Sequence, residues 1–329
     1  ASNNAPRLDY STGAEAFLLE PQSTNLVTQS ELFSDSFYIK DSGVVVGAKN
    51  NISPSGNANA TKIDVTNNGR IYANIATNTY YTSVFIKSGT FSHFKFVGSN
   101  VDLIAETNAN GSIQKFGNGW YRISVSYTGN RPFQIQAYPD GTYSTHTTSG
   151  NYYIWGAQAE QQSYPTSYIP SNGSQTTRNQ ETCINATPEI NSEEGVLYAE
   201  INSFDNGTYN IWALSNLSNK EIWIGAKNGL LASSLYDGTT FVINNSVSLL
   251  DGNNKAALKW VSGTSAEVWL NGLKVYTYTG TIPTYVANDL TTFGQGDRQG
   301  GFPFYGNTKN LQVYTKALSD AELIKLTTI

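Results

Sequence analysis

Aromatic rings set beside Asn and Asp are the residues of this chain best suited to chemistry. In the second half Asn210, Trp212, Trp223, Tyr236 and Asp237 fall at strand ends or turns, and in the first half Tyr138, Asp140 and Tyr143 cluster in the loop YPDGTY. An aromatic ring offers a flat face to the C–H surface of a sugar, and an amide or carboxylate beside it bonds the hydroxyls. The set points to a shallow glycan site. The competing assignment is structural, because most Trp and Tyr in strand proteins fill a core or a cross-strand pair. Trp120, Trp155 and Trp269 go to packing on that ground, since they lie within regular strands.

Catalytic chemistry finds less support. Hydrolysis of a glycosidic bond needs two carboxyl groups flanking it, yet Glu200, Glu221 and Glu267 each stand alone in their strands. His93 and His146 are the two histidines of the chain, and neither sits in a recognisable setting. Gly-x-Ser-x-Gly, His-Glu-x-x-His and a phosphate loop are missing. Cys183 is the single cysteine and closes no internal disulfide. The expectation is a protein that binds and does not catalyse.

Those residues need a scaffold, and composition says which kind. With 329 residues, 39% hydrophobic and only 14% charged, the chain is long enough for two domains with proper cores. Its 29 Gly, 21 Tyr and 14 Phe are the material of pleated strands joined by tight turns. A net charge of -5 without any Lys/Arg run excludes a phosphate-backbone surface, so no nucleic-acid partner is expected. No apolar stretch approaches the roughly 20 residues of a membrane helix, so no membrane insertion is expected. The chain lacks Met and opens ASNNAPRLDY, which reads as part of a longer or processed product.

Alternating segments recur every ten or so residues: KIDVTN, YYTSVFIKSG, HFKFVG, WYRISVSYTG, FQIQAYP and NYYIWGAQAE, then GVLYAEINSF, EIWIGAKNG, KAALKWVSG and AEVWLNG. Such spacing predicts an all-β protein of two tandem β-sandwich (jelly-roll) domains. In WYRISVSY, Tyr121, Ile123, Val125 and Tyr127 take one face and Arg122, Ser124 and Ser126 the other, which predicts one packed and one wet face. From 163 onward Pro, Ser, Thr and Asn dominate, with Tyr164, Tyr168 and Ile169 as anchors. The expected boundaries are a lead-in over 1–24, a first sandwich over 25–170, a linker over 171–194 and a second sandwich over 195–329. Asn271-Gly272 between AEVWL and LKVYTY predicts a type I′ hairpin. Ser319-Asp320-Ala321-Glu322 predicts a capping box opening a short C-terminal helix.

Three segments together, RLDYSTGAEAFLLEPQSTNLVTQSELF, WYRISVSYTG and WGAQAEQQSYPTSYIPSNGSQTTRNQE, resemble a module of tailed-bacteriophage tail-fibre and related structural proteins. The second half resembles the concanavalin A-like, laminin-G type domain through GVLYAEI, KAALKW, VWLNG and FYGNTKNLQVYTKALSDAELIKLTTI. The first module is similar in outline to carbohydrate-binding modules.

The resemblance implies a receptor-binding protein of the virion tail. Its partners would be bacterial surface polysaccharide and other tail proteins, and its assembly a homotrimer acting outside the host cell. Laminin-G type folds often carry calcium, for which Asp205, Asp237 and Asp297, in loops with neighbouring Gly, are the candidate ligands. None of them forms the Asp-x-Asp-x-Asp-Gly arrangement of a calcium loop, and a loop Asp ordinarily serves the turn itself. An architectural decoration protein without a specific ligand and a polysaccharide-degrading enzyme are the rival classes, since a sandwich fold does not decide activity.

Overall fold

The computed structural model describes residues 7–10, 15–204 and 207–329. It divides into one unit over Gln22–Asn179 and a second formed by Gln180–Ile329 together with the chain's first 21 residues. Both are built from antiparallel strand pairs.

In the first unit, one six-stranded sheet runs in spatial order Thr107–Asn108, Ser99–Asp102, His93–Phe96, Phe133–Tyr138, Arg70–Ala73, Ile39–Lys40. The other runs Gly111–Lys115, Trp120–Gly129, Asn78–Ser88, Gly150–Glu160, Ala58–Val65, Val44–Ile52. Period-two alternation aims Ile71, Phe94, Phe96, Phe133 and Ile135 from the first and Ile63, Val84, Ile86, Ile123 and Ile154 from the second into one core. Each side chain so buried contributes on the order of 2 kcal/mol.

The outward side of this second sheet departs from expectation. Ile123 and Val125 are packed as the alternation requires, but Ser83 and Ser124 on the opposite face are buried too. Ser124 is paired with the Ser112 hydroxyl at 2.6 Å, and the cover beside Ser83 comes from the segment after the sheet's central strand. Gly156, at φ +65°, takes the left-handed conformation at a bulge between Trp155 and Gln158. Beyond it Gln158 and Glu160 are fully buried. Gln158 accepts from the Ile169 amide at 2.6 Å and donates to Glu160 at 2.6 Å, while Glu160 accepts from the Ser23 hydroxyl at 2.6 Å and from the Thr166 hydroxyl and amide. Tyr168 lies 4.5 Å from Trp155, and Arg122 donates to Ser83 and to the Thr166 carbonyl. The Pro- and Ser-rich stretch thus straps the sheet, and its polar groups satisfy those of a face shielded from solvent.

In the second unit a seven-stranded sheet runs Leu8–Asp9, Ala16–Leu19, Gly306–Tyr314, Glu194–Ser203, Asn254–Val261, Ser265–Leu270, Leu273–Thr277. It faces a five-stranded sheet, Phe241–Ser248, Leu230–Tyr236, Glu221–Lys227, Asn210–Ser215, Thr292–Gln295. Leu197, Leu258, Trp260, Trp212, Ile222, Ile224 and Leu235 fill the space between them. Asn271 and Gly272 both have positive φ, 49° and 86°, as the predicted hairpin turn requires. The helix Asp320–Thr327 buries Leu323 against Val196, Tyr198 and Trp269 on the far side of the larger sheet.

Two boundaries differ from the sequence expectation. The lead-in supplies strands to the second sandwich, where Phe17 pairs with Thr308 and Leu19 with Gly306, and Arg7 joins Glu20 to Glu181. Within the stretch read as a linker, Thr176–Arg178 pairs with Ser23–Asn25 inside the first sandwich. Both differences have one physical source, namely backbone ladders between segments far apart in the chain. The capping box is present, with Ser319 accepting from the Glu322 amide and Glu322 accepting in return. Ser319→Ala is therefore expected to cost about 1 kcal/mol, read as a shift of the denaturant midpoint at unchanged slope.

Candidate functional site

The residues singled out in the second half do not form an open site. Trp212 is 0% exposed, sandwiched between Phe293 at 5.6 Å and Phe304 at 5.5 Å. Trp223, on the opposite face of the same sheet, is 5% exposed and packs with Ile211, Ala213, Ala232 and Tyr209. Asn210 is buried and donates to the Phe204 carbonyl at 3.1 Å. The correction has a simple cause: the central strands of this sheet are covered on both faces, so neither parity of residue reaches solvent. Tyr236 is half-buried beneath the Arg298 guanidinium, 4.6 Å from its ring centre.

The acidic candidates for a metal serve their own loops. Asp237 accepts from the amides of Thr239 at 3.0 Å, Thr240 at 2.7 Å and Thr284 at 2.7 Å. Burial opposes its charge, but those amides outweigh burial and hold the carboxyl down at about 2. Asp297 accepts from Gln299 at 2.9 Å and Gly301 at 2.7 Å. Asp205 lies outside the described residues. Among the described residues no three His, Cys, Asp or Glu side chains gather as metal ligands.

Glu221 is a buried carboxylate paired with an arginine. Its side chain is 4% exposed, and it accepts from the Arg298 guanidinium at 2.6 Å and from the Arg298 amide at 2.9 Å. Burial pushes its carboxyl up, against the pull of the arginine.

In the first sandwich the YPDGTY residues converge with groups that their spacing did not suggest. Tyr138 ends the Phe133–Tyr138 strand and lies 5.5 Å from Tyr143, whose ring is in turn 6.1 Å from His93. Lys95 stands 5.3 Å from the Tyr138 ring centre and donates to the Tyr143 carbonyl at 3.3 Å. Tyr138 itself is 4% exposed, so its ring is a support rather than an open platform. Asp140 is a turn former whose carboxyl is held below its ordinary range by the Thr142 hydroxyl and amide. His93 Nε2 lies 3.4 Å from Asp102. Burial resists ionisation of Asp102, and the Ala105 and Ile104 amides with His93 overcome it.

These residues are one end of a larger face. Since Ile71, Phe94, Ile135 and their alternates point inward, the outward positions of the adjoining strands are Arg70 and Tyr72, His93 and Lys95, and Gln134, Gln136 and Tyr138. Register puts Gln136 between Lys95 and Arg70, Gln134 beside Tyr72, and Tyr138 beside His93. Arg131 lies 4.2 Å from the Tyr72 ring centre and donates to Gln134 at 3.2 Å. Arg70 is 2.6 Å from Asp41, and Gln136 donates to the Asn68 carbonyl at 2.9 Å. Amides, cations and phenols on one half-exposed sheet face can bind several oxygen atoms of a ligand lying along it. The signal was present in FQIQAYP and HFKFVG as an alternation of polar with apolar residues, but which strands lie side by side is not written in either segment.

No protein-family model matches the chain, and no curated protein matches it. Among solved structures, a leech intramolecular trans-sialidase complexed with 2,7-anhydro-Neu5Ac shares 23% identity over 43% of this chain, at a TM-score of 0.36. The alignment takes in 24% of that enzyme, so the chain spans about a quarter of its length. The carbohydrate-binding module CBM40 of the Ruminococcus gnavus IT-sialidase shares 19% over 42% of this chain and 85% of its own, also at 0.36. Mouse laminin alpha1 domains LG4-5 share 9% over 97% of this chain and 96% of theirs, at 0.31. The fold class stands on this chain's own strands: two all-β sandwiches, the second closed by a short C-terminal helix.

Proposed function

We propose that the outward face of the six-stranded sheet bearing Gln134, Gln136, Tyr72, Lys95 and Arg131 binds a glycan, and that the chain acts as a non-catalytic adhesin. The observation that carries this reading is the register that lines up Gln136 with Lys95 and Arg70, and Gln134 with Tyr72, on one half-exposed surface. Amide side chains bond sugar hydroxyls as donor and acceptor at once.

The carboxylates bordering the face support binding rather than hydrolysis. Asp41 is paired with Arg70, Asp102 with His93 and two backbone amides, and Asp140 with Thr142. A general acid and its partner carboxylate need freedom to exchange protons with substrate, which these groups spend on their own loops. In this reading, which the resemblance of the sequence segments to tail-fibre modules supports, the glycan is a bacterial surface polysaccharide and the chain part of a homotrimer on a phage tail.

The full chain titrated against purified bacterial surface polysaccharides is expected to bind at least one of them. Gln134→Ala with Gln136→Ala should weaken that binding by roughly tenfold, about 1.4 kcal/mol, in a protein that stays folded at the assay temperature despite the loss of two part-buried hydrogen bonds. Binding that is unchanged in this double variant would refute the assignment of the face.

A further inference from the structure

We infer that the glycan taken by this face is anionic. The inference rests on the glycan-binding reading above and adds the chemical class of the ligand.

Neutral sugars are held on proteins chiefly by bare aromatic faces, and here those faces are taken. Arg131 covers Tyr72 at 4.2 Å, with Arg70 a further 5.7 Å from the same ring centre. Lys95 covers Tyr138 at 5.3 Å, and Tyr138 is buried on its remaining sides. What the sheet offers to a ligand at these places is therefore the edge of a cation and not the face of a ring. A cation seated on an aromatic ring is already partly dehydrated and held in place, so less ordering is needed when an anion arrives.

Charge pairing on the face agrees. Among the described residues Arg70 has Asp41 as its carboxylate partner, whereas Lys95 and Arg131 form no ion pair. Lys95 is held by the Tyr143 carbonyl and Arg131 by the Gln134 and Asn74 side-chain oxygens. These are neutral acceptors that fix the side chains without cancelling their charge. The carboxylates nearby, Asp102 and Asp140, are occupied by His93, by loop amides and by the Thr142 hydroxyl. In a chain of net charge -5, two unneutralised cations beside the paired Arg70 complement an acidic polymer that runs across the strands. Guanidinium and ammonium groups accept a sugar carboxylate or a sulfate ester by the same chemistry.

The test uses the full chain and three probes: polygalacturonate, dextran sulfate and unmodified dextran. Binding is followed calorimetrically for the parent chain, for Lys95→Ala with Arg131→Ala, and for the charge-keeping pair Lys95→Arg with Arg131→Lys. Polygalacturonate is expected to bind, to weaken by at least about tenfold in the alanine pair, to weaken with added salt, and to recover in the charge-keeping pair. Binding of polygalacturonate without dextran sulfate identifies a carboxylated glycan, and binding of dextran sulfate alone a sulfated one; each supports the inference. Dextran held as tightly as either polyanion, or polyanion binding untouched by the alanine pair, overturns it. In the first of these outcomes glycan binding itself still stands. Failure of the chain to bind any acidic or neutral polysaccharide overturns both readings.

Discussion

Trp212→Ala is expected to destabilise the second sandwich by about 3–5 kcal/mol and to leave polysaccharide binding by the folded fraction unchanged. The side chain has no exposed surface and stacks with Phe293 and Phe304. Its removal opens a cavity between two sheets whose strands cannot close in without breaking register with their neighbours. Trp212→Phe is expected to cost far less. The indole Nε1 is buried and has no hydrogen-bond partner among the described residues, so the smaller ring gives up some contact but also removes an unsatisfied donor worth about 1–3 kcal/mol. Denaturant unfolding of the three proteins separates these terms. A Trp212→Ala protein as stable as the parent but deficient in polysaccharide binding would return this residue to the role its neighbourhood in the sequence suggested.

The second large effect concerns the buried ion pair on the opposite face of the same sheet. Arg298→Ala is expected to cost about 3–5 kcal/mol near neutral pH, because it strands the Glu221 carboxylate in a dry setting. The pH dependence has a definite sign. Burial raises the folded-state carboxyl above its ordinary 4.5, so between 4.5 and that raised value the folded protein holds the proton more firmly than the unfolded chain. Stability from this group is complete below 4.5 and is lost as pH rises through the folded value. Without Arg298 the folded value moves higher still, so the deficit of Arg298→Ala should be smaller at pH 4 than at pH 7. Glu221→Gln in the same background should remove most of that pH dependence. Stability curves at the two pH values decide it, and an equal deficit at both would sink the argument.

What could be read from the sequence was local. Asn271-Gly272 specifies its hairpin because only a few residues accept positive φ in succession, and Ser319 with Glu322 specifies a helix start because both bonds close within four residues. The alternation in WYRISVSY identified its core face but not the burial of the other, because the strap that bonds Arg122 and Gln158 on that face comes from a later stretch with no strand pattern of its own. Trp212 and Trp223 misled for a related reason. NIWALS and EIWIGAK are continuous apolar runs buried on both sides, and such runs carry no alternation to say which way a ring points. The outward row of Gln134, Gln136, Lys95 and Tyr72 needed the strand order, which depends on loop closures that composition does not encode.

The way the first sandwich is threaded has a consequence for how such a protein changes over generations. Its own ends lie side by side, with Ser23–Asn25 paired to Thr176–Arg178. In the second sandwich the flanking residues also meet, the Glu181 amide donating to the Glu20 carbonyl at 3.0 Å and the Glu20 amide to the Glu181 carboxylate at 2.8 Å. Residues 22–179 are thus a cassette with adjacent ends, set into a host whose sheet closes across the gap. A recombination event that replaced the cassette with another of similarly spaced ends would exchange its surface while sparing the described strands of the host sandwich. Selection could then vary the cassette at little risk to the rest of the host sandwich.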